Sequence, residues 1–202
     1  MKKNIQGALW GIALAICVAA GVLAGCSAQS AAQNLTPEQR TQLYTEAIEQ
    51  TGSSMLEANR PVASAEDPSA SLLLDMLGVP AEDMQAFSIS LSPMNIKAYA
   101  IALILPAEGK EQAVLDAVNG FVETQQRNFE QYLPDQYAVA QNAQVKTLDD
   151  GTILLVMDEN AEQAVSRIEQ YLQNPQGAGP DGAASSETPG SSGAESGRIP
   201  LS

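Results

Sequence analysis

The chain has 202 residues, with 24 Asp and Glu against 10 Lys and Arg, a formal charge of −14, two cysteines and no histidine. An excess of acids without Lys/Arg clusters excludes nucleic acid as a partner, because phosphate contacts need basic side chains. The lack of His removes the commonest general base and metal ligand, and no cofactor is expected.

Met1-Lys2-Lys3 gives a positive start, and Ala8 to Ala24 is an uncharged run of Leu, Ile, Val, Ala and Gly with one Trp, the pattern of a secretory signal. The run closes on Leu23-Ala24-Gly25-Cys26, which resembles the lipobox of bacterial lipoproteins. That resemblance implies that Leu23, Ala24 and Gly25 fit a signal peptidase. It also implies that Cys26 takes diacylglycerol on its sulfur and becomes the mature N-terminus. Seventeen uncharged residues stand at the lower edge of what spans roughly 30 Å of hydrocarbon, and an uncleaved transmembrane helix gives no reason for a cysteine at its exit. Cys17 lies inside the apolar run and leaves with it. With Cys26 acylated, no disulfide, thiolate nucleophile or Cys-based metal site remains. Two or three acyl chains hold a membrane firmly at about 0.8 kcal/mol per buried CH₂, where one chain binds marginally.

Residues 27–34 are small and polar and read as a tether. Thr36-Pro37-Glu38-Gln39 has the form of a helix start, with Thr36 as N-cap, Pro37 in the first helical position and Gln39 completing a capping box. Leu43, Tyr44, Ala47 and Ile48 then recur at helical spacing, with a break near Gly52. Leu72 to Leu77 reads as a short helix ended by Gly78. Phe87, Ile89 and Leu91 alternate with Ser88, Ser90 and Ser92, which predicts a strand with one wet face. Ile96 to Leu105 reads as a second strand, apolar on both faces. Its Ala98/Ala100/Ala102 side is the expected seat of the N-terminal helix.

A long helix is predicted over about 110–133, from Val114, Val118, Phe121, Val122, Phe129 and Tyr132. Residues 144–148 and 152–157 read as strands joined by an Asp149-Asp150-Gly151 turn. Asn160 with Gln163 suggests a second capping box, opening a helix through Leu172. The order predicts an α+β fold: an N-terminal helical segment, then ββαββα, forming an antiparallel four-stranded sheet with helices packed mainly on one face. The expected organisation is a signal peptide at 1–25, a tether at 26–34, one α+β domain at 35–173 with its core in 84–173, and a disordered Gly/Ser/Pro-rich tail at 174–202.

The lipobox, the Leu77-Gly78-Val79 turn, the strand pair, the long helix closing on Phe129-Glu130-Gln131-Tyr132-Leu133-Pro134-Asp135-Gln136-Tyr137, and the last hairpin and helix together resemble the bacterial lipoproteins of the domain of unknown function 4358 family. The resemblance covers roughly Thr36 to Leu172. It implies a small extracytoplasmic domain on Gram-positive cells, held on the outer face of the cell membrane, and implies no activity, cofactor or catalytic residue.

The residues offer weak ligand-binding candidates and no catalytic one. Asp149, Asp150 and Asp158 with Glu159 could gather carboxylates at one end of the second hairpin, as Ca²⁺ binding or acid/base work requires, but no calcium-loop spacing is present, and turn and helix-start roles account for them better. Tyr132 and Tyr137, either side of Pro134, form either a stacking edge or the plug of a core. Ser88, Ser90 and Ser92 lack any nucleophile motif. Two functions follow: a non-catalytic surface lipoprotein that binds a protein or small-molecule ligand of unknown identity, or a carboxylate-dependent envelope hydrolase. The anchor is directly testable. Cys26→Ala should abolish incorporation of labelled fatty acid and leave a signal-bearing precursor, and continued labelling would refute the lipobox reading.

Overall fold

The computed structural model describes residues 35–175. The signal segment 1–25, the acylation site Cys26 with its Leu23, Ala24 and Gly25, the tether 26–34 and the tail beyond Pro175 lie outside the described residues.

Helix α1 (Pro37–Glu49) opens on the expected capping box: the Gln39 amide donates to Thr36 Oγ1 at 3.3 Å and the Thr36 amide donates to Gln39 Oε1 at 3.0 Å. Helix α2 (Ala70–Leu77) ends on Gly78 in the left-handed conformation at φ 75°. Strand β1 (Met84–Leu91) pairs with β2 (Ala100–Pro106), which pairs with β4 (Ile153–Met157), which pairs with β3 (Gln144–Thr147). Every pairing is antiparallel. Helix α3 (Glu111–Phe129) joins the two hairpins and α5 (Ala161–Gln173) closes the described chain. The fold is therefore α+β, with helices packed against a four-stranded antiparallel sheet. The free edge of β1 is partly covered by the 59–63 segment, where Val62 and Ile89 exchange backbone hydrogen bonds of 2.8 and 2.9 Å.

Helices cover both faces of this sheet, where the sequence suggested mainly one. On the first face Ala100, Ala102, Ile104, Ile153, Leu155 and Met157 meet Leu73, Leu77, Val114, Val118 and Phe121 from α2 and α3. On the second, Ile101, Leu103, Leu154 and Val156 meet Tyr44, Ile48, Val165 and Ile168 from α1 and α5. The N-terminal helix α1 thus sits on the Ile101/Leu103 side and not on the alanine side of β2. The physical reason lies in the strands: β2 and β4 are apolar on alternate and intervening positions alike, and each face needs its own cover.

Three further expectations change. The serines of β1 are not wet: Ser88 and Ser90 are fully buried and Ser92 nearly so. Thr45 of α1 and Ser88 share a hydrogen bond of 3.0 Å, and Ser90 lies 2.9 Å from Tyr99 Oη and donates to the Asn59 carbonyl at 2.5 Å. Small hydroxyls let α1 approach the strand closely while staying satisfied. The long helix stops at Phe129, and a turn through residues 130–133 leads into a separate helix α4 (Pro134–Gln141) that the sequence reading missed. Pro134 is the first residue of α4, so it starts one helix as well as ending another. Strand β2 begins at Ala100, leaving Met94 and Ile96 exposed in the preceding loop.

One polar cluster pins the second face. Arg40 in α1 pairs with Asp150 in the β3–β4 turn, and both side chains are about nine-tenths buried. Tyr44 Oη receives a long bond from Arg40 at 3.4 Å and lies 2.5 Å from Thr152 Oγ1, while the Thr152 amide donates to Asp150 Oδ1 at 3.0 Å. Removing one partner strands a buried charge, at a cost of about 3 to 5 kcal/mol. Arg40→Ala should therefore lower the unfolding free energy by about that amount in urea titration. Arg127→Ala, which breaks an exposed pair with Glu123 and an exposed bond to Thr124, should change it by less than about 0.5 kcal/mol.

Candidate functional site

At one end of the sheet five segments converge: the entry to β2, the exit of β4, the loop that follows α1, the first half of α4 and the first half of α5. They enclose a polar cavity of about 190 Å³. Asp158, the residue after β4, lies at its wall and is 7 % exposed. Its two oxygens are held apart by different donors, Ser53 Oγ at 2.6 Å on Oδ2 and the Asn160 amide at 2.8 Å on Oδ1. That second bond replaces the expected capping box, since the Asn160 side chain makes no cap bond and Asp158 turns the chain into α5 instead.

Tyr99 lies beside Asp158. Burial pushes its hydroxyl pKa up to about 12; the negative charge of Asp158 adds to the rise, and bonds to Ser90 and Ser53 oppose it. Arg167 of α5 reaches across to donate from Nη1 to the Thr51 carbonyl at 3.0 Å. Gly52, beside this bond, takes φ +66°, a conformation that favours glycine. On the other rim Lys97 Nζ stands 3.9 Å from Glu159 Oε1. Gln136 of α4 accepts from the Ala98 amide at 2.9 Å and ties α4 to the entry of β2.

The structure sorts the sequence candidates. Asp158 and Glu159 are at the cavity. Asp149 and Asp150 are not beside them: they occupy the turn at the opposite end of β4, a strand roughly 17 Å long for five residues at about 3.3 Å each. Asp150 is committed to Arg40. Tyr132 is 80 % exposed in the turn after α3, whereas Tyr137 packs part-buried against the first-face core, so the two do not act as one stacking edge. Among the described residues no group of three or more His, Cys, Asp or Glu side chains could hold a metal ion. Sequence reasoning missed Ser53, Lys97, Gln136 and Arg167. The one available signal was the scarcity of bases: of the seven Lys and Arg in residues 35–175, two line this cavity.

Residues 64–158 match the model of the family described as "Domain of unknown function (DUF4358)". No curated protein and no solved structure matches the chain. The matched stretch is narrower than the resemblance read from the sequence, and it covers α2 through β4 without α1 or α5. It supplies Lys97, Tyr99, Gln136 and Asp158 to the cavity, and the flanking segments supply Ser53 and Arg167.

The buried tyrosines set a pH dependence. Burial raises the hydroxyl pKa of Tyr44, Tyr99 and Tyr171 above the usual 10, for the last two to about 12; in Tyr171 the bond it donates to Glu46 at 2.8 Å adds to the rise. A raised folded pKa leaves its stability intact below pH 10 and loses it as pH climbs toward about 12. Unfolding free energy should fall steadily across that window, and Tyr171→Phe should make the fall shallower. A tyrosinate absorbance titration of the folded chain should place Tyr99 near 12, and Asp158→Asn should lower it.

Proposed function

We propose that this chain is a lipid-anchored, extracytoplasmic binding module that takes a small-molecule or protein ligand at the cavity around Asp158 and is not an enzyme. One geometric observation carries the reading. Leu35 and Pro175, the two ends of the described chain, lie together against Gln39, Leu43 and Glu46, along one side of α1. The cavity lies beyond the last residue of the same helix, from about 8 Å past Glu46 to about 18 Å past Gln39 at 1.5 Å per helical residue. A chain held through Cys26 would then present the cavity on the side away from its tether. Among the described residues no helix is long and apolar enough to cross a membrane, so anchoring in this reading rests on Cys26 and the segment before it.

The non-catalytic part of the reading is supported by the state of the acids. Asp150 is bound to Arg40 and Asp158 to Ser53 and the Asn160 amide, so neither stands as a lone carboxylate poised for proton transfer. The full chain should show no turnover of peptidoglycan, glycan or ester substrates above a heat-treated control. Turnover lost on Asp158→Asn would overturn that statement. Binding is tested by thermal shift. A soluble envelope extract should raise the midpoint of the full chain by mass action, and Ser54→Trp, which fills the mouth of the cavity, should remove the rise. A rise that survives Ser54→Trp would move the binding site elsewhere.

A further inference from the structure

The lining of the cavity is balanced in charge although the chain is strongly acidic. The chain as a whole carries 24 acids against 10 bases, yet the charged side chains lining this cavity are two of each sign: Lys97, Arg167, Asp158 and Glu159. A site for a cation would be expected to share the acidity of the surrounding surface, and a site for an anion would need an excess of bases. Balanced charge at close quarters suits a ligand that carries both signs. Resting on the binding role just proposed, we infer that the cavity takes a small zwitterion of the α-amino acid class.

Size and donor chemistry agree with this ligand. At about 190 Å³ the cavity is below the roughly 300 Å³ where sites for drug-sized molecules begin, and holds about the liquid volume of six waters. That admits a molecule of about six to nine non-hydrogen atoms. Arg167 offers a planar fork of five N–H donors, of which the Thr51 carbonyl engages one nitrogen, and the fork matches a carboxylate. That bond to the Thr51 carbonyl orients it toward the cavity wall. Asp158 is oriented by Ser53 and the Asn160 amide, and Glu159 next to it has an exposed side chain held by Lys97 at only 3.9 Å. These two carboxylates receive an ammonium. Ser53 and the Tyr99 hydroxyl, which stays protonated at neutral pH, add neutral hydrogen-bonding groups at the wall.

The test is calorimetry on the full chain in detergent with four probes: glycine, alanine, alanine amide, which keeps only the positive charge, and N-acetylalanine, which keeps only the negative. Glycine and alanine should bind, and each singly charged derivative should bind about tenfold or more weakly, the loss expected for one charge-assisted hydrogen-bonded contact. Arg167→Gln should weaken alanine to the level of its amide and leave the amide unchanged. Glu159→Gln should weaken alanine and the amide alike, and Arg127→Gln on α3 should change nothing. Circular dichroism and thermal midpoints of the variants separate lost binding from lost folding. Binding of the amide or of N-acetylalanine as tightly as alanine overturns the inference. So does absence of binding by all four probes. If the Ser54-sensitive thermal shift in envelope extract persists in that last case, the binding role stands and only the ligand class is wrong; if it is also absent, both fail.

Discussion

Two central strands govern this structure, because β2 and β4 carry apolar side chains on both of their faces. Ile101, Leu103, Leu154 and Val156 point one way and Ala100, Ala102, Leu155 and Met157 the other, and all are essentially inaccessible to solvent. Burying a large aliphatic side chain stabilises by about 1.5 to 3 kcal/mol, so neither face could be left open without forfeiting a large part of the fold's stability. The consequence is a three-layer arrangement with α2, α3 and α4 on one side and α1 and α5 on the other. Helices α1 and α5 run antiparallel along their face, joined by Tyr171 to Glu46 and, about one turn nearer the cavity, by Arg167 to Thr51.

The antiparallel pair also separates the two ends of the molecule by task. Where α1 begins and α5 finishes, the described chain ends meet and Arg40 locks the β3–β4 turn. Where α1 finishes and α5 begins, the backbone must leave one helix and one strand and enter another of each, and loops replace regular structure. Polar groups collect there because the backbone and side chains of such loops need partners that the apolar layers cannot supply. Asp158, Ser53, Arg167 and Gln136 all make bonds that hold these loops in place. The cavity is thus a product of the same layering that makes the core, and Asp158 and Arg167 at its wall are held by these bonds.

Much of this was legible in the residues. Period-two and two-sided apolar runs located the strands, Thr36 with Gln39 marked a true capping box, and Gly78 and the Asp149-Asp150-Gly151 turn fell where their φ angles require. What failed did so for identifiable reasons. Alternation along β1 revealed two faces without telling which was wet, and the serine face is covered by α1. Helix α4 has one buried residue, Ala140, and so leaves no stripe to detect. The contacts that build the site join residues 105 and 116 positions apart, Ser53 to Asp158 and Arg167 to Thr51, which local pattern does not reach. Asp149 and Asp150 looked like companions of Asp158 because a hairpin turn and a strand exit are neighbours in sequence, but a strand lies between them.

The central claim is that the cavity end points away from the membrane to which Cys26 would hold the chain. The most direct measurement is NMR relaxation of the full acylated chain in bicelles containing nitroxide-labelled lipid. The account predicts that amides of residues 35–42 and 148–151 are broadened most, and that those of residues 94–97 and 158–160 are broadened least. Stronger broadening at residues 94–97, or equal broadening at both ends, would contradict it.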